Sequence, residues 1–391
     1  MKSLSRLTEG LSQSDIRAVT ARVNAVNGIN LGQGICDMPT PDPIKEGAKS
    51  AIDEDKSIYA PYDGVDPLKE RIVEKVKSFN RIPINGTQNV MVTAGATGGF
   101  TTAVFALADP GDEVIQFEPL YGYHSNLLTL RGVGQKTLPL HPPNWEVDFE
   151  RLEALISQKT KAIVLTTPNN PCGKVWSRQE LEQLLELLDR YDLYAITDEV
   201  YEYMTYEGRE HRSLASLDGA FERTITLSSF SKTFNMTGWR LGYATGPERV
   251  IEKMGLISDI LYICAPSPLQ FGLADGFATE KSYYEQMLRD YDIKRTLMCR
   301  ALESAGFDVP WPEGAYYVFA SFQPLSEQPG FADDQQACQT LIDRAGIGSI
   351  PGGSFYSNPD DGQYLLRFCF AKEMHELEEA CRRIETQLQH M

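Results

Sequence analysis

Residues 224–245 read Thr224-Ile225-Thr226-Leu227-Ser228-Ser229-Phe230-Ser231-Lys232-Thr233-Phe234-Asn235-Met236-Thr237-Gly238-Trp239-Arg240-Leu241-Gly242-Tyr243-Ala244-Thr245. The two ends, Thr224–Leu227 and Leu241–Thr245, are short β-branched and apolar runs that predict buried strands. Between them lies a loop carrying one lysine, hydroxyls at Ser229 and Ser231, glycines, and an arginine at 240. Moving outward, the same kind of run recurs at Val90–Thr93, Glu113–Phe117, Ala162–Thr166 and Tyr194–Thr197.

Amphipathic stretches separate these runs. In Ser177–Tyr191, Leu181, Leu184, Leu185, Leu187 and Leu188 form one apolar stripe, and Ser177 with Glu180 has the spacing of a capping box. Strands alternating with helices from about residue 90 to residue 246 predict an α/β chain with a mostly parallel central sheet covered on both faces. On such a sheet, reactive residues belong at the carboxyl ends of strands and in the loops that follow. After residue 246 the pattern turns to long helices (Glu248–Tyr262, roughly Lys281–Ala305), short strands at Tyr316–Ala320 and Tyr364–Phe370, and a final helix from about His375.

A chain of 391 residues exceeds one small core, so a large domain with a smaller one and a cleft between them is expected. The balance of 37 basic against 54 acidic residues, a net charge of −17 with no basic run, excludes nucleic acid and anionic membrane as partners. Residues 1–10 lack the apolar segment of a signal peptide, and no stretch is apolar enough to span a bilayer, so a cytoplasmic protein is expected. The seven cysteines are scattered without CxxC spacing, which predicts reduced thiols. Five histidines without paired spacing predict no metal site, and each is assigned to packing or surface.

A lone lysine in a loop is ordinarily solvated. Here hydroxyls, Arg240 and tight glycine turns flank it, a combination that suits a phosphate, because guanidinium offers a rigid fork of donors. A primary amine beside a phosphate anchor points to an aldehyde-bearing phosphate cofactor, since an amine condenses with a carbonyl. Four other segments follow predicted strands: Thr93-Ala94-Gly95-Ala96-Thr97-Gly98-Gly99, Glu118-Pro119-Leu120-Tyr121-Gly122-Tyr123, Thr167-Pro168-Asn169-Asn170-Pro171-Cys172-Gly173, and Asp198-Glu199-Val200-Tyr201. The first opens a predicted helix, whose free N–H groups would face an anion. In Tyr364–Phe370 one arginine, Arg367, interrupts an apolar strand and must find a partner.

Taken in order, these motifs resemble the class I/II aminotransferases, the fold-type I enzymes that depend on pyridoxal 5'-phosphate, over nearly the whole chain. The resemblance implies a large domain with a mostly parallel sheet plus a smaller α+β domain. It divides the chain into an N-terminal segment 1–45 that contributes to the small domain and closes the site, a cofactor-binding domain 46–285 and a C-terminal domain 286–391. Lys232 resembles the lysine that forms a Schiff base with the cofactor and shuttles the substrate's α-proton. Arg240, Ser229 and Ser231, with Ala96 by its backbone and Thr97 by its hydroxyl, resemble the phosphate ligands. Asp198 matches the partner of the pyridine nitrogen, Asn170 and Tyr201 the partners of the 3′-oxygen, and Tyr121 the ring stacked on the cofactor.

Arg367 matches the clamp of the substrate α-carboxylate, and Gly34, in Leu31-Gly32-Gln33-Gly34-Ile35-Cys36-Asp37, matches a backbone contact. Tyr59, in Tyr59-Ala60-Pro61-Tyr62, resembles the tyrosine that reaches the phosphate of a neighbouring subunit, which implies a homodimer with shared sites. Cys36 and Cys172 stand where the family usually has proline and a hydroxyl residue. The implied reaction moves an amino group from an amino acid to a 2-oxo acid; carbon–sulfur β-elimination is the alternative from the same lysine, aspartate and phosphate cradle. No arginine lies between Arg249 and Arg289 to receive a distal carboxylate, and Ile16, Ile35, Tyr62, Tyr121 and Tyr262 suggest an apolar or aromatic side-chain pocket.

Overall fold

A computed structural model describes residues 3, 5–8, 15–36, 38–277 and 281–388. Asp37 and most of residues 1–14, both part of the sequence reading, lie outside the described residues. The centre is a seven-stranded sheet of β1 (Val90–Thr93), β2 (Glu113–Glu118), β3 (Gly134–Pro139), β4 (Thr160–Thr166), β5 (Tyr194–Asp198), β6 (Thr224–Ser229) and β7 (Gly242–Thr245). The strand order is β1-β7-β6-β5-β4-β2-β3. β7 runs antiparallel to both neighbours, and the other pairs are parallel.

Six of these strands follow the predicted runs within two residues at either end. The seventh, β3, escaped the reading because it is an edge strand with a glycine at its start and side chains only partly buried. Such a strand needs no continuous apolar run. Helix Arg178–Arg190 starts as predicted: the Ser177 hydroxyl accepts from the Glu180 N–H, and the Glu180 carboxylate accepts from the Ser177 N–H. Leu181, Leu184, Leu187 and Leu188 are buried along its inner face, each contributing roughly 1.5–3 kcal/mol. Leu185 is only half-buried.

Elsewhere over the sheet, helix Gly95–Leu107 meets helix Glu248–Tyr262 through Phe100, Ala103 and Val104 packed with Val250, Ile251 and Met254. Toward the C-terminus, Tyr317–Ser321, Leu365–Cys369 and Ile350–Pro351 form a small antiparallel sheet. Ile29–Asn30 pairs in parallel with Ile347–Gly348, so the N-terminal segment is tied to this part of the chain.

Register sets the site. Thr166 is level with Asp198, and Asp198 with Leu227, so the loops carrying Asn170, Tyr201 and Lys232 leave the sheet side by side. At the antiparallel edge, Gly242 is level with both Thr93 and Ser229, which gathers Ala96, Arg240 and Ser229 into one corner.

Candidate active site

A cavity of about 360 Å3 opens at these strand ends. Of the thirteen residues predicted from sequence, all but Tyr59 line it: Gly34, Ala96, Thr97, Tyr121, Asn170, Asp198, Tyr201, Ser229, Ser231, Lys232, Arg240 and Arg367. Tyr59 is 80% exposed and lies in a separate depression with Ile58 and residues 264–268.

Lys232 sits in the one-turn helix Phe230–Thr233, whose start is capped by Ser229 Oγ accepting from the Ser231 N–H at 3.1 Å. Its Nζ donates to the Gly34 carbonyl at 3.3 Å and lies over the rings of Tyr201 and Tyr316. Burial lowers its pKa from the ordinary lysine range to about 8. Among the described residues that carbonyl is the amine's one hydrogen-bond partner, which leaves the amine available to react.

The corner beside it is built for an anion. Ala96 and Thr97 open helix Gly95–Leu107, where backbone N–H groups lack helical acceptors. Gly95 has φ +70°, and a Cβ there would stand 2.5 Å from Arg240 Nη2, so only glycine fits under the guanidinium. Arg240 donates to the carbonyl of Thr237 at 2.9 Å, and no carboxylate pairs with it among the described residues. Ser229 Oγ donates to Ser231 Oγ at 2.8 Å. A helix start, a guanidinium and two hydroxyls fit a phosphate.

Asp198 ends β5 with its carboxylate buried and 3.4 Å from His124 Nε2. Tyr121 meets His124 edge to face and stacks on Tyr123. Tyr201 OH is 3.0 Å from Tyr317 OH, and burial raises its pKa well above the ordinary range. A buried carboxylate, an aromatic face and a phenol around the amine fit a charged pyridine ring, so the residues present suit pyridoxal phosphate.

Arg367 is 1% exposed. Its Nη1 donates to Asn170 Oδ1 at 2.8 Å and its Nη2 to the Gly32 carbonyl at 2.6 Å, while Nε has no partner. The guanidinium stacks on Tyr317 and Phe355, and no carboxylate faces it among the described residues. A buried cation without a counter-charge is costly, and a carboxylate ligand in the cavity relieves that cost.

Three expectations need correction. Tyr62 and Tyr262 do not line the cavity; Tyr62 lies against Gly255, where an added Cβ would be 2.5 Å from its ring. His124, assigned to packing or surface, contacts Asp198. Tyr317 was read only as part of a strand, yet it joins Arg367 to Tyr201 and would clash with any Cβ at Gly34. The one sequence signal for His124 was its place three residues after Tyr121, on the first turn of helix Gly122–Arg131. Cys172 is buried, which pushes its thiol up to about 12, and Cys36 Sγ lies 3.2 Å from Tyr291 OH. Among the described residues, no helix is long and apolar enough to cross a membrane.

Residues 26–384 match the family described as aminotransferase class I and II. The chain is 33% identical over 387 residues to aromatic-amino-acid aminotransferase 2 of Thermococcus litoralis, covering 98% of this chain and 97% of that one. It is 34% identical over 360 residues to an aspartate aminotransferase of Pyrococcus abyssi, covering 91% and 90%. The solved structure of N-succinyldiaminopimelate aminotransferase from Mycobacterium tuberculosis superposes with a TM-score of 0.94 at 30% identity, over 98% of this chain and 100% of that one.

Proposed function

Because the chain belongs to the class I and II aminotransferases, fold-type I enzymes that depend on pyridoxal phosphate, we propose which residues carry the transfer and which amino acids it serves. The protein moves the amino group of an amino acid to a 2-oxo acid. When bound, pyridoxal phosphate supplies an aldehyde that condenses with amines and a ring that withdraws electrons from the α-carbon. Arg240, Ser229, Ser231, Thr97 and the Ala96 N–H hold its phosphate. Asp198, oriented by His124, keeps the ring nitrogen protonated by its charge. Tyr121 covers the ring face. Asn170 spends its Oδ1 on Arg367, which leaves its Nδ2 for the 3′-oxygen together with Tyr201.

Arg367 binds the substrate α-carboxylate, and Gly34 closes over it. With the cofactor bound, Lys232 Nζ would be the group that takes the proton from the substrate α-carbon and carries it to the cofactor side of the cavity. The observation that carries this reading is a weakly basic Lys232 in one cavity with the unneutralised guanidinium of Arg367. The experiment is a screen of amino acids against several acceptors, scored for 2-oxo acid, ammonia and pyruvate. Oxo acid without ammonia is expected; ammonia with pyruvate would mean elimination instead.

The preferred donors are apolar or aromatic amino acids. Ile16, Ile35, Tyr121 and Tyr123 on the cavity wall support this, as does the aromatic substrate in the name of the Thermococcus relative. The domain division 1–45, 46–285 and 286–391 and a cytoplasmic homodimer belong to the same reading. Six of seven cysteines are buried thiols, which suits a reducing compartment. Ile58, Tyr59 and Ile260 are 78%, 80% and 82% exposed, large apolar side chains of the kind an interface covers, and Tyr59 is then available to a second copy's phosphate. Sedimentation equilibrium checks this: a dimer for the protein and a monomer for Ile260→Asp are expected, and a monomeric parent would refute it.

A further inference from the structure

Three buried phenols, Tyr316, Tyr317 and Tyr201, are in mutual contact beside Lys232, with ring centroids 4.8, 5.0 and 5.9 Å apart. Lys232 Nζ lies over the rings of Tyr201 and Tyr316, and the Tyr201 hydroxyl is 3.0 Å from that of Tyr317. The proposed function uses Tyr201 alone of the three. A phenol has one proton to donate and an oxygen that accepts, so where each proton goes fixes which way each bond runs.

Tyr316 gives its proton to the Gly34 carbonyl at 3.1 Å, an oxygen that only accepts. Tyr201, in its proposed role, gives its proton to the cofactor's 3′-oxygen, which leaves its own oxygen open to a donor. The hydroxyl 3.0 Å from that oxygen is Tyr317's. Tyr317 is fixed on two sides. It is level with Cys369 on the paired antiparallel strand, and Arg367 stands two residues before Cys369, so the side chains at 317 and 367 share one face of the sheet. The Arg367 guanidinium accordingly lies 4.5 Å from the Tyr317 ring centroid. On the other side Gly34 packs so closely that a Cβ there would collide with the Tyr317 hydroxyl, and only glycine fits. Burial raises the Tyr317 phenol to about 12, with Arg367 pulling the other way, and raises Tyr201 well above the ordinary range. Tyr317 is thus the more acidic of the pair and the better donor.

We infer that Tyr317 is a positioning residue: its hydroxyl donates to the Tyr201 oxygen and thereby turns the single Tyr201 proton toward the cofactor's 3′-oxygen. The inference rests on the proposed role of Tyr201. Were the bond reversed, Tyr201 would spend its proton on Tyr317 and present only lone pairs to an oxygen that also accepts. Run from Tyr317, the two hydroxyls form a chain whose members polarise each other, so Tyr201 becomes a stronger donor than an isolated phenol. A donor to the 3′-oxygen favours that oxygen's charged form, which holds down the pH at which the bound cofactor's absorbance changes. Phenylalanine at 317 keeps the ring under Arg367 and beside Gly34 and removes only the orienting proton.

The test is a spectroscopic pH titration of the cofactor-loaded protein without substrate, comparing the parent with Tyr201→Phe, Tyr317→Phe and the double variant. Tyr201→Phe should raise the midpoint of the absorbance change by about one pH unit, the worth of one hydrogen bond to a charged group. Tyr317→Phe should raise it by about half a pH unit, a smaller effect passed on through Tyr201. The double variant should match Tyr201→Phe alone, because Tyr317 acts only through that hydroxyl. A lowered midpoint in Tyr317→Phe would show that Tyr201 had been donating to Tyr317, and an unmoved one that Tyr317 orients nothing. Either result overturns the inference, as do additive shifts in the double variant. An unmoved midpoint in Tyr201→Phe is a different failure: it removes Tyr201 from the 3′-oxygen, and the inference with it.

Discussion

The carboxylate of Asp198 stands 3.4 Å from Nε2 of His124, and both side chains are buried. The imidazole is itself fixed, stacked 4.1 Å from Phe100, and the Val200 N–H reaches the other carboxylate oxygen at 3.4 Å. A charge held this way is pre-organised for the cofactor's ring nitrogen. Asp198→Asn should therefore lower the single-turnover rate of α-proton loss by roughly 10²–10³-fold. His124→Phe should cost about tenfold, the worth of one hydrogen bond to a charged group. Rapid-mixing absorbance measurements with a good amino donor read both, and an unchanged Asp198→Asn rate would remove that residue from its role.

Arg367 has its two terminal nitrogens engaged and its Nε unpaired in a buried setting. Replacing it with lysine keeps the charge but loses the planar fork. We expect Arg367→Lys to raise KM for amino acids and lower kcat/KM by about 10²-fold, as for loss of a bidentate charged pair. The absorbance of the bound cofactor should not move, because the residue faces the substrate side of the cavity. A variant with ordinary KM would contradict the clamp.

Behind the loop, Lys75 Nζ lies 2.5 Å from Glu202 Oε2 with both side chains under 10% exposed, at 7% and 3%. The amine also donates to Asn80 and Tyr243, and Glu202 accepts from the Ser228 hydroxyl at 2.7 Å. This network ties the turn after Asp198 to the residue before Ser229. Lys75→Met should destabilise the fold by about 3–5 kcal/mol, since it leaves a buried carboxylate unpaired. Lys75→Met with Glu202→Met should recover much of that loss in urea unfolding; equal losses for single and double variants would show that the ion pair itself is not what matters.

Much of this arrangement was legible in the sequence because buried parallel strands are continuous β-branched runs, and the chemistry-bearing loops start where those runs stop. Lys232 and Asp198 were found that way. Residues whose importance arises only from tertiary contact were not. His124 and Asp198 are far apart in sequence and meet only when helix Gly122–Arg131 crosses the end of β5. Tyr317 reads as one more aromatic in a buried strand, since nothing local distinguishes a phenol that faces Tyr201 from one that fills a core. Tyr62 and Tyr262 stand off the cavity wall, and packing of Tyr62 against Gly255 on helix Glu248–Tyr262 holds it there.

Lys232 also sets a pH dependence. Burial is the main cause of its lowered pKa, about 8, and Arg367 pushes the same way against Cys369 and Asp198. Only the neutral amine attacks an aldehyde, so attachment of pyridoxal phosphate to the apoprotein should quicken as pH rises through about 8 and then level off. An ordinary lysine would give a rate still climbing toward pH ~10. The absorbance change on mixing, followed across this range, distinguishes the two profiles.

The most direct measurement is borohydride reduction of the cofactor-saturated enzyme followed by peptide mass mapping. A pyridoxyl-phosphate mass increment confined to the peptide spanning Lys232 is the expected result. An increment on any other lysine, or none at all, would contradict the assignment of Lys232 as the cofactor-bearing residue.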